Sequence, residues 1–297
     1  MTASISSNAT TAAPSFGAAF AGPEHQPFTL NGTDGRAALL VHGFPGTPAE
    51  MRPLAQALHD RGWTTRAILL PGFGPELDTI AERRVEDWIA AVRAALNALR
   101  RDHPHVLLIG HSLGGALSLA AADARPDALI LLAPFWKLDS PLWDLLPALR
   151  IIFPTFKPFR LIKFDPNDPK FREGAATFMP GVDLDDPAVQ AGIRDFAIPT
   201  RLFAEIRRAG MLGAAAAQSI SMPTLIIQGE SDPLVKPPLT RALAARIGPA
   251  ARCVETPGQH DLVDPHGAGW DAVRQHVIAF AEGVTRRAGR PVLTASE

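Results

Sequence analysis

The chain has 297 residues, 46% of them hydrophobic and 20% charged, with a formal net charge of −1. That is ample apolar material for one large core, and the near-zero charge excludes a long-range field that would gather nucleic acid or an anionic membrane. A lone cysteine, Cys253, excludes an internal disulfide and any paired-thiol metal site, and the absence of tyrosine excludes mechanisms that need a phenol.

Residues 1–26 open with MTASISSNATTAAPSFGAAFAG, small and polar, with the first arginine only at Arg36. A secretory signal needs a basic start and a stronger apolar centre. We read a disordered or loosely attached leader on a cytoplasmic protein, with export as the alternative. Short apolar runs then alternate with helical patterns, the rhythm of βαβ units around a parallel sheet. In chain order they are a strand at AALLV (37–41), a helix from Thr47-Pro48 to Arg61-Gly62, and a strand at TTRAILL (64–70). A helix over 85–102 follows, with acids first and bases last as the helix dipole favours. Next come strand HVLLIG (105–110), helix LGGALSLAAADA (113–124) and strand DALILLA (127–133).

From Phe135 to Ser221 the rhythm breaks: residues 135–171 are dense in Pro, Phe, Trp and Leu, too apolar for a solvated linker and too broken for one long helix, and a helical stretch, IPTRLFAEIRRAGMLGAAAAQSI, follows at 198–220. We read 135–221 as a cap inserted into a core made of 27–134 and 222–286. Its segment IIFPTFKPFRLIK (151–163) carries Lys157, Arg160 and Lys163 among Ile and Phe, a composition able to touch a membrane surface. The reading we adopt is that its apolar side lines a pocket or covers the core. Strands resume at TLIIQG (224–229) and ARCVET (251–256), where Cys253 is expected to be a small buried hydrophobe. A helix over about 268–282 and a tail, 287–297, close the chain.

Chemistry enters at Gly110-His111-Ser112-Leu113-Gly114, where a buried strand turns directly into a small-residue helix. In that setting a serine sits on a tight, strained elbow, and Gly110 and Gly114 are needed because neighbouring backbone comes too close for a Cβ. A serine hydroxyl needs a base. Of nine histidines, His260 is best placed, in the loop after the last strand, where an open α/β sheet puts its ligand crevice. His111 adjoins the serine and is expected to point away; His42 precedes a glycine in another loop. His25, His59, His103, His105, His266 and His276 fall in polar or helical surroundings and are expected to be solvated. The base needs a carboxylate to hold its tautomer. Asp232 follows strand 224–229, with Glu230 and Asp261 as fallbacks. Two backbone N–H groups are nominated for a developing oxyanion: Leu113, which opens the elbow helix, and Phe44, because Pro45 has no N–H. There is no P-loop, no H-E-x-x-H motif and no dinucleotide glycine spacing, so we expect neither cofactor nor metal.

With these residues in place, LLVHGFPGTPAEMRPLAQAL, LLPGFGPELDTI, VEDWIAAVRAAL, LIGHSLGG, PTLIIQGESDPLV and GQHDLV together resemble the microbial carboxylesterase and monoacylglycerol-lipase-like branch of the α/β hydrolases, over about residues 35–285. The resemblance implies the α/β-hydrolase fold, a mostly parallel central sheet flanked by helices, with a mobile cap. It also implies cofactor-free hydrolysis of carboxylic esters through an acyl-serine. Phe73 departs from it, standing where many relatives have His in a Pro-Gly-His-Gly turn. The expected partner is a small-molecule ester, of short or medium chain or monoacylglycerol-like. Thioester, lactone, peptide or C–C substrates, acyl transfer, and a non-catalytic binding role are the alternatives.

Overall fold

Strands β1 (Phe28–Leu30), β2 (Arg36–Val41), β3 (Thr64–Ile68), β4 (His105–His111), β5 (Ala128–Leu132), β8 (Thr224–Gly229) and β9 (Ala251–Thr256) form one sheet in a computed structural model of the chain. Their order is β1-β3-β2-β4-β5-β8-β9, and every neighbour is parallel except β1, which runs antiparallel to β3. The structure describes residues 17, 20–139, 155–156, 165–169, 171–172, 184–195 and 198–288. Within them β6 (Thr155–Phe156) and β7 (Ile198–Pro199) pair as a separate two-stranded ribbon.

The central strands are continuously apolar because both faces of the sheet are covered. Side chains alternate along each strand. Leu39 and Val41 of β2, Leu108 of β4, Leu129 and Leu131 of β5 and Ile226 of β8 join one cluster. Ala38 and Leu40, Leu107 and Ile109, Ile130 and Leu132, and Leu225 and Ile227 join the other. Helix α1 (Pro48–His59) and the last helix, α7 (Trp270–Ala288), cover the second face through Met51, Leu54, Leu58, Val273 and Val277. The first face is covered by α2 (Val85–Asp102), α3 (Leu113–Ala120), α5 (Thr200–Ala216) and α6 (Pro237–Ile247). A further helix, α4, spans Pro187–Asp195. Helix α5 lies inside the 135–221 segment, yet Leu202, Ile206 and Ala209 belong to the core cluster and the helix packs along α3. Among the described residues no helix is long and apolar enough to cross a membrane.

Several expectations shift. The strand expected over 64–70 stops at Ile68, and Leu70 turns its N–H to the His42 ring, 3.1 Å away, instead of extending the ladder. The helix expected over 113–124 ends at Ala120 and gives way to a 3-10 turn, while the last helix runs on past 282 to Ala288. Cys253 is only half-buried, because β9 is the edge of the sheet and has one neighbour. His25 is not solvated: it is 6% exposed, its Nδ1 lies 2.8 Å from Thr47 Oγ1, and the Phe20 ring meets it edge-on. Thr47 is the N-cap of α1, accepting from Ala49 N–H, so that arm docks on the cap itself. Residues 140–154 and 157–164, hence nearly all of IIFPTFKPFRLIK, lie outside the described residues, as do 1–16 of the leader and 289–297 of the tail.

Phe73 is fully buried and meets His42, Phe44 and Trp88 edge-on, with centroids 5.0, 6.1 and 5.7 Å away. Phe73 is therefore the hub of an aromatic cluster under the loop that follows β2. Phe73→Ala removes that hub and is expected to cost about 3–5 kcal/mol in urea unfolding. A loss below about 1 kcal/mol would show that the cluster closes without it.

Candidate active site

The elbow comes first. β4 ends at His111, and Ser112 takes φ 50° and ψ −114°, a backbone state that costs a non-glycine residue about 1–3 kcal/mol. The surroundings hold it there. Ser112 N–H donates to the Leu132 carbonyl at 2.9 Å, and the Ser112 carbonyl accepts from Gly115 and Phe135 N–H, both at 3.0 Å. A Cβ on Gly110 would lie 2.3 Å from the Gly114 carbonyl oxygen, and one on Gly114 would lie 2.2 Å from that of Val41. Both glycines are therefore required by close approach, for the reason their spacing suggested.

Ser112 Oγ lies 2.9 Å from His260 Nε2, and His260 Nδ1 lies 2.8 Å from Asp232 Oδ2. The carboxylate can only accept, so Nδ1 carries the proton and Nε2 is free to accept from the serine. Asp232 itself is shut away, with a side chain 0% exposed. Its Oδ1 accepts from Leu234 and Val235 N–H at 2.8 and 2.9 Å, and its Oδ2 accepts a second bond, from Gln228 Nε2 at 3.0 Å. Burial alone would favour the neutral acid, but the hydrogen bond and charge of His260, with the Gln228 and Val235 donors, hold this carboxyl below the usual aspartate range. The fallback acids Glu230 and Asp261 are exposed.

Gln228 escaped the sequence reading. It is fully buried, donates also to the Val235 carbonyl at 2.9 Å, and takes the Thr240 hydroxyl on its Oε1. One signal was present: a polar residue inside the otherwise apolar run TLIIQG, where burial demands partners.

Of the two nominated oxyanion donors, Leu113 is the first residue of α3, and its N–H belongs to the first turn, which has no intrahelical acceptor. Phe44 follows β2, half-buried against Phe73, and is joined to Pro45 by a cis peptide. The neighbouring Gly43 N–H is committed to Glu50 Oε1 at 2.6 Å. His111 does turn away from the serine oxygen; its ring reaches Glu50 and the His260 carbonyl, both at 3.1 Å. His42 is fully buried, with Nδ1 against the Gly43 carbonyl and Nε2 accepting from Leu70 N–H. One acceptor and one donor make it a neutral ring, and burial accordingly holds its affinity for a second proton low.

A family model described as Hydrolase_4, serine aminopeptidase S33, matches residues 34–262, most of the chain. The chain belongs to this α/β-hydrolase family. The matched span of this Hydrolase_4 member includes Phe44, Ser112, Leu113, Asp232 and His260. A thermostable monoacylglycerol lipase of Bacillus sp. (strain H-257) is 38% identical over 89 residues, which is 30% of this chain and 36% of the relative. A carboxylesterase of Bacillus subtilis (strain 168) is 36% identical over 102 residues, 34% of this chain and 41% of the relative. The matches thus span well under half the length of these two relatives. Among solved structures, one from a study of the metagenome-derived lipolytic enzymes LipS and LipT has a TM-score of 0.66 at 22% identity, covering 88% of this chain and 98% of that one. The fold is the α/β-hydrolase fold.

Proposed function

We propose that this Hydrolase_4 member is a serine carboxylic-ester hydrolase that works through an acyl-serine intermediate. The observation that carries the reading is the unbroken relay of 2.9 and 2.8 Å from Ser112 through His260 to a buried, fully hydrogen-bonded Asp232. In the first half-reaction Ser112 Oγ bonds to the ester carbonyl carbon while His260 Nε2 takes the hydroxyl proton. The charge moves onto the carbonyl oxygen, which the Phe44 and Leu113 N–H groups receive. The tetrahedral adduct collapses, the C–O bond to the alcohol breaks, and His260 returns the proton to that alcohol. Water then repeats the sequence on the acyl-serine and releases the acid. Asp232 keeps its charge throughout and stabilises the imidazolium that forms twice. The relay by itself supplies proton and charge handling for ester cleavage, and no cofactor enters these steps.

The substrate we assign is a short- or medium-chain ester or a monoacylglycerol-like molecule, in a cytoplasmic protein. The names of the two Bacillus relatives and the apolar composition of the 135–221 insertion support it. Initial rates on p-nitrophenyl esters from acetate to palmitate test both parts. Turnover that rises beyond acetate is expected. A steady fall beyond acetate would remove the apolar pocket, and no turnover anywhere in the series would remove ester hydrolysis. The family description favours peptide hydrolysis as a second reading; aminoacyl p-nitroanilides separate it from the first.

A further inference from the structure

The elbow holds His111, the third histidine of the site, whose partners are unlike those of His42 and His260. His111 Nδ1 lies 3.1 Å from Glu50 Oε1, and His111 Nε2 lies 3.1 Å from the carbonyl oxygen of His260. Both partners only accept. A neutral imidazole has one N–H and would leave one of these contacts as two facing lone pairs; an imidazolium has two and satisfies both. His42 and His260 each face one acceptor and one donor, which a neutral ring satisfies. The His111 side chain is 7% exposed and that of Glu50 23%, so neither charge is well solvated and each needs the other.

The same Glu50 oxygen also accepts from Gly43 N–H at 2.6 Å, in the loop that carries Phe44. One run of hydrogen bonds therefore joins three loops: the loop after β2, the elbow, and the loop of the base. We propose that Glu50 and His111 form a buried ion pair, with His111 an imidazolium, that positions the His260 backbone and the Gly43–Phe44 turn on either side of Ser112. Both are positioning residues: neither reaches the serine oxygen in this arrangement, and His111 acts through the carbonyl of His260. The inference rests on the hydrolase reading for its kinetic part alone.

Glu50 and, more distantly, Asp261 face His111 and favour its proton; His42 lies near the pair on the other side, and the His260 ring, titratable itself, stands 5.4 Å from the His111 ring between centroids. Burial opposes charge on both partners. The mutual hydrogen bond and attraction win, raising His111 above the ordinary histidine value and lowering Glu50 below the ordinary glutamate value. The signs follow from linkage. What the pair contributes is complete between the ordinary glutamate value and the ordinary histidine value. It is lost on the alkaline side as pH rises through the raised His111 value, and on the acid side as pH falls through the lowered Glu50 value.

Full-length protein labelled with 15N-histidine tests the charge directly. In the wild type, both ring nitrogens of His111, assigned by their loss in His111→Gln, are expected at imidazolium shifts near pH 7. In Glu50→Gln, whose amide oxygen still accepts from Gly43 and so keeps the fold, His111 is expected to be neutral at the same pH. A neutral His111 in the wild type near pH 7 overturns the proposal. On p-nitrophenyl butyrate, Glu50→Gln is expected to lower kcat about 10- to 100-fold with KM within about twofold, and to move the alkaline limb of kcat to lower pH. A variant that loses thermal stability but keeps the wild-type kcat and alkaline limb would make the pair merely structural and overturn the positioning role. If the wild type turns over no ester, the function assigned above fails, while the NMR titration still decides the pair.

Discussion

Ser112→Ala is expected to lower turnover of p-nitrophenyl esters by about four to six orders of magnitude, with little change in stability. The size follows from what the proposed mechanism asks of one oxygen. Ser112 Oγ is the atom placed 2.9 Å from His260 Nε2, and without it there is neither an acyl acceptor nor a proton for the base to take. Only whatever binding and oxyanion stabilisation give to attack by water would remain. Stability is expected to hold because the elbow is anchored through backbone, not through the hydroxyl: the Ser112 N–H and carbonyl bonds to Leu132, Gly115 and Phe135 survive the substitution. Alanine inherits the same φ of 50° and much the same strain. The check is paired: initial rates on p-nitrophenyl butyrate, and labelling by a fluorophosphonate probe, with thermal unfolding as control. Residual turnover above about a thousandth of wild type would show that Ser112 is not the nucleophile, and so would probe labelling that persists in the variant.

Asp232→Asn is expected to reduce kcat by about three to four orders of magnitude while leaving KM largely unchanged. The substitution is nearly isosteric, so the effect is one of hydrogen-bond polarity. The carboxylate takes four donors: two backbone N–H groups on Oδ1, and Gln228 and His260 on Oδ2. An amide has one oxygen. With its NH2 toward His260, it forces the ring proton onto Nε2, where the ring no longer accepts from Ser112, and it also faces the Gln228 amide donor. Turned the other way, it opposes Leu234 and Val235 N–H instead. Steady-state kinetics with folded variant protein decide the matter. If more than about a tenth of wild-type kcat remained, the acid would be dispensable or one of Glu230 and Asp261 would be able to replace it.

The parts of this site visible in the sequence share a physical character: each is dictated by chain neighbours. The Gly-x-Ser-x-Gly spacing is local, because the glycines at 110 and 114 answer to crowding around a single turn. Asp232 and His260 were found because each follows an apolar run, and the ends of parallel strands converge on one edge of the sheet. The continuous apolarity of β4, β5 and β8 likewise announced strands covered on both faces. Cys253 shows the limit of that logic. Its strand, ARCVET, sets Cys253 and Val254 between Arg252 and Glu255, and place in the sheet, edge or centre, is set by pairing with distant segments; β9 is an edge. Helix α5 shows it again, since an amphipathic pattern states that one face is buried without saying against what; here the answer is α3.

The sequence by itself determined the strands of the main sheet apart from β1, the helices apart from α4 and α6, the Gly-x-Ser-x-Gly turn and the identity of its candidate partners, because propensity, periodicity and steric crowding act over a few residues. Only the tertiary structure decided which polar side chains meet. His25 on Thr47, Gln228 between Asp232 and Thr240, and His111 between Glu50 and the His260 carbonyl are contacts across 22, 12 and 149 residues in the widest reach of each. A buried polar group must find a partner, but that requirement does not name the partner. The choice falls to whichever donor or acceptor the packed sheet and helices bring within about 3 Å.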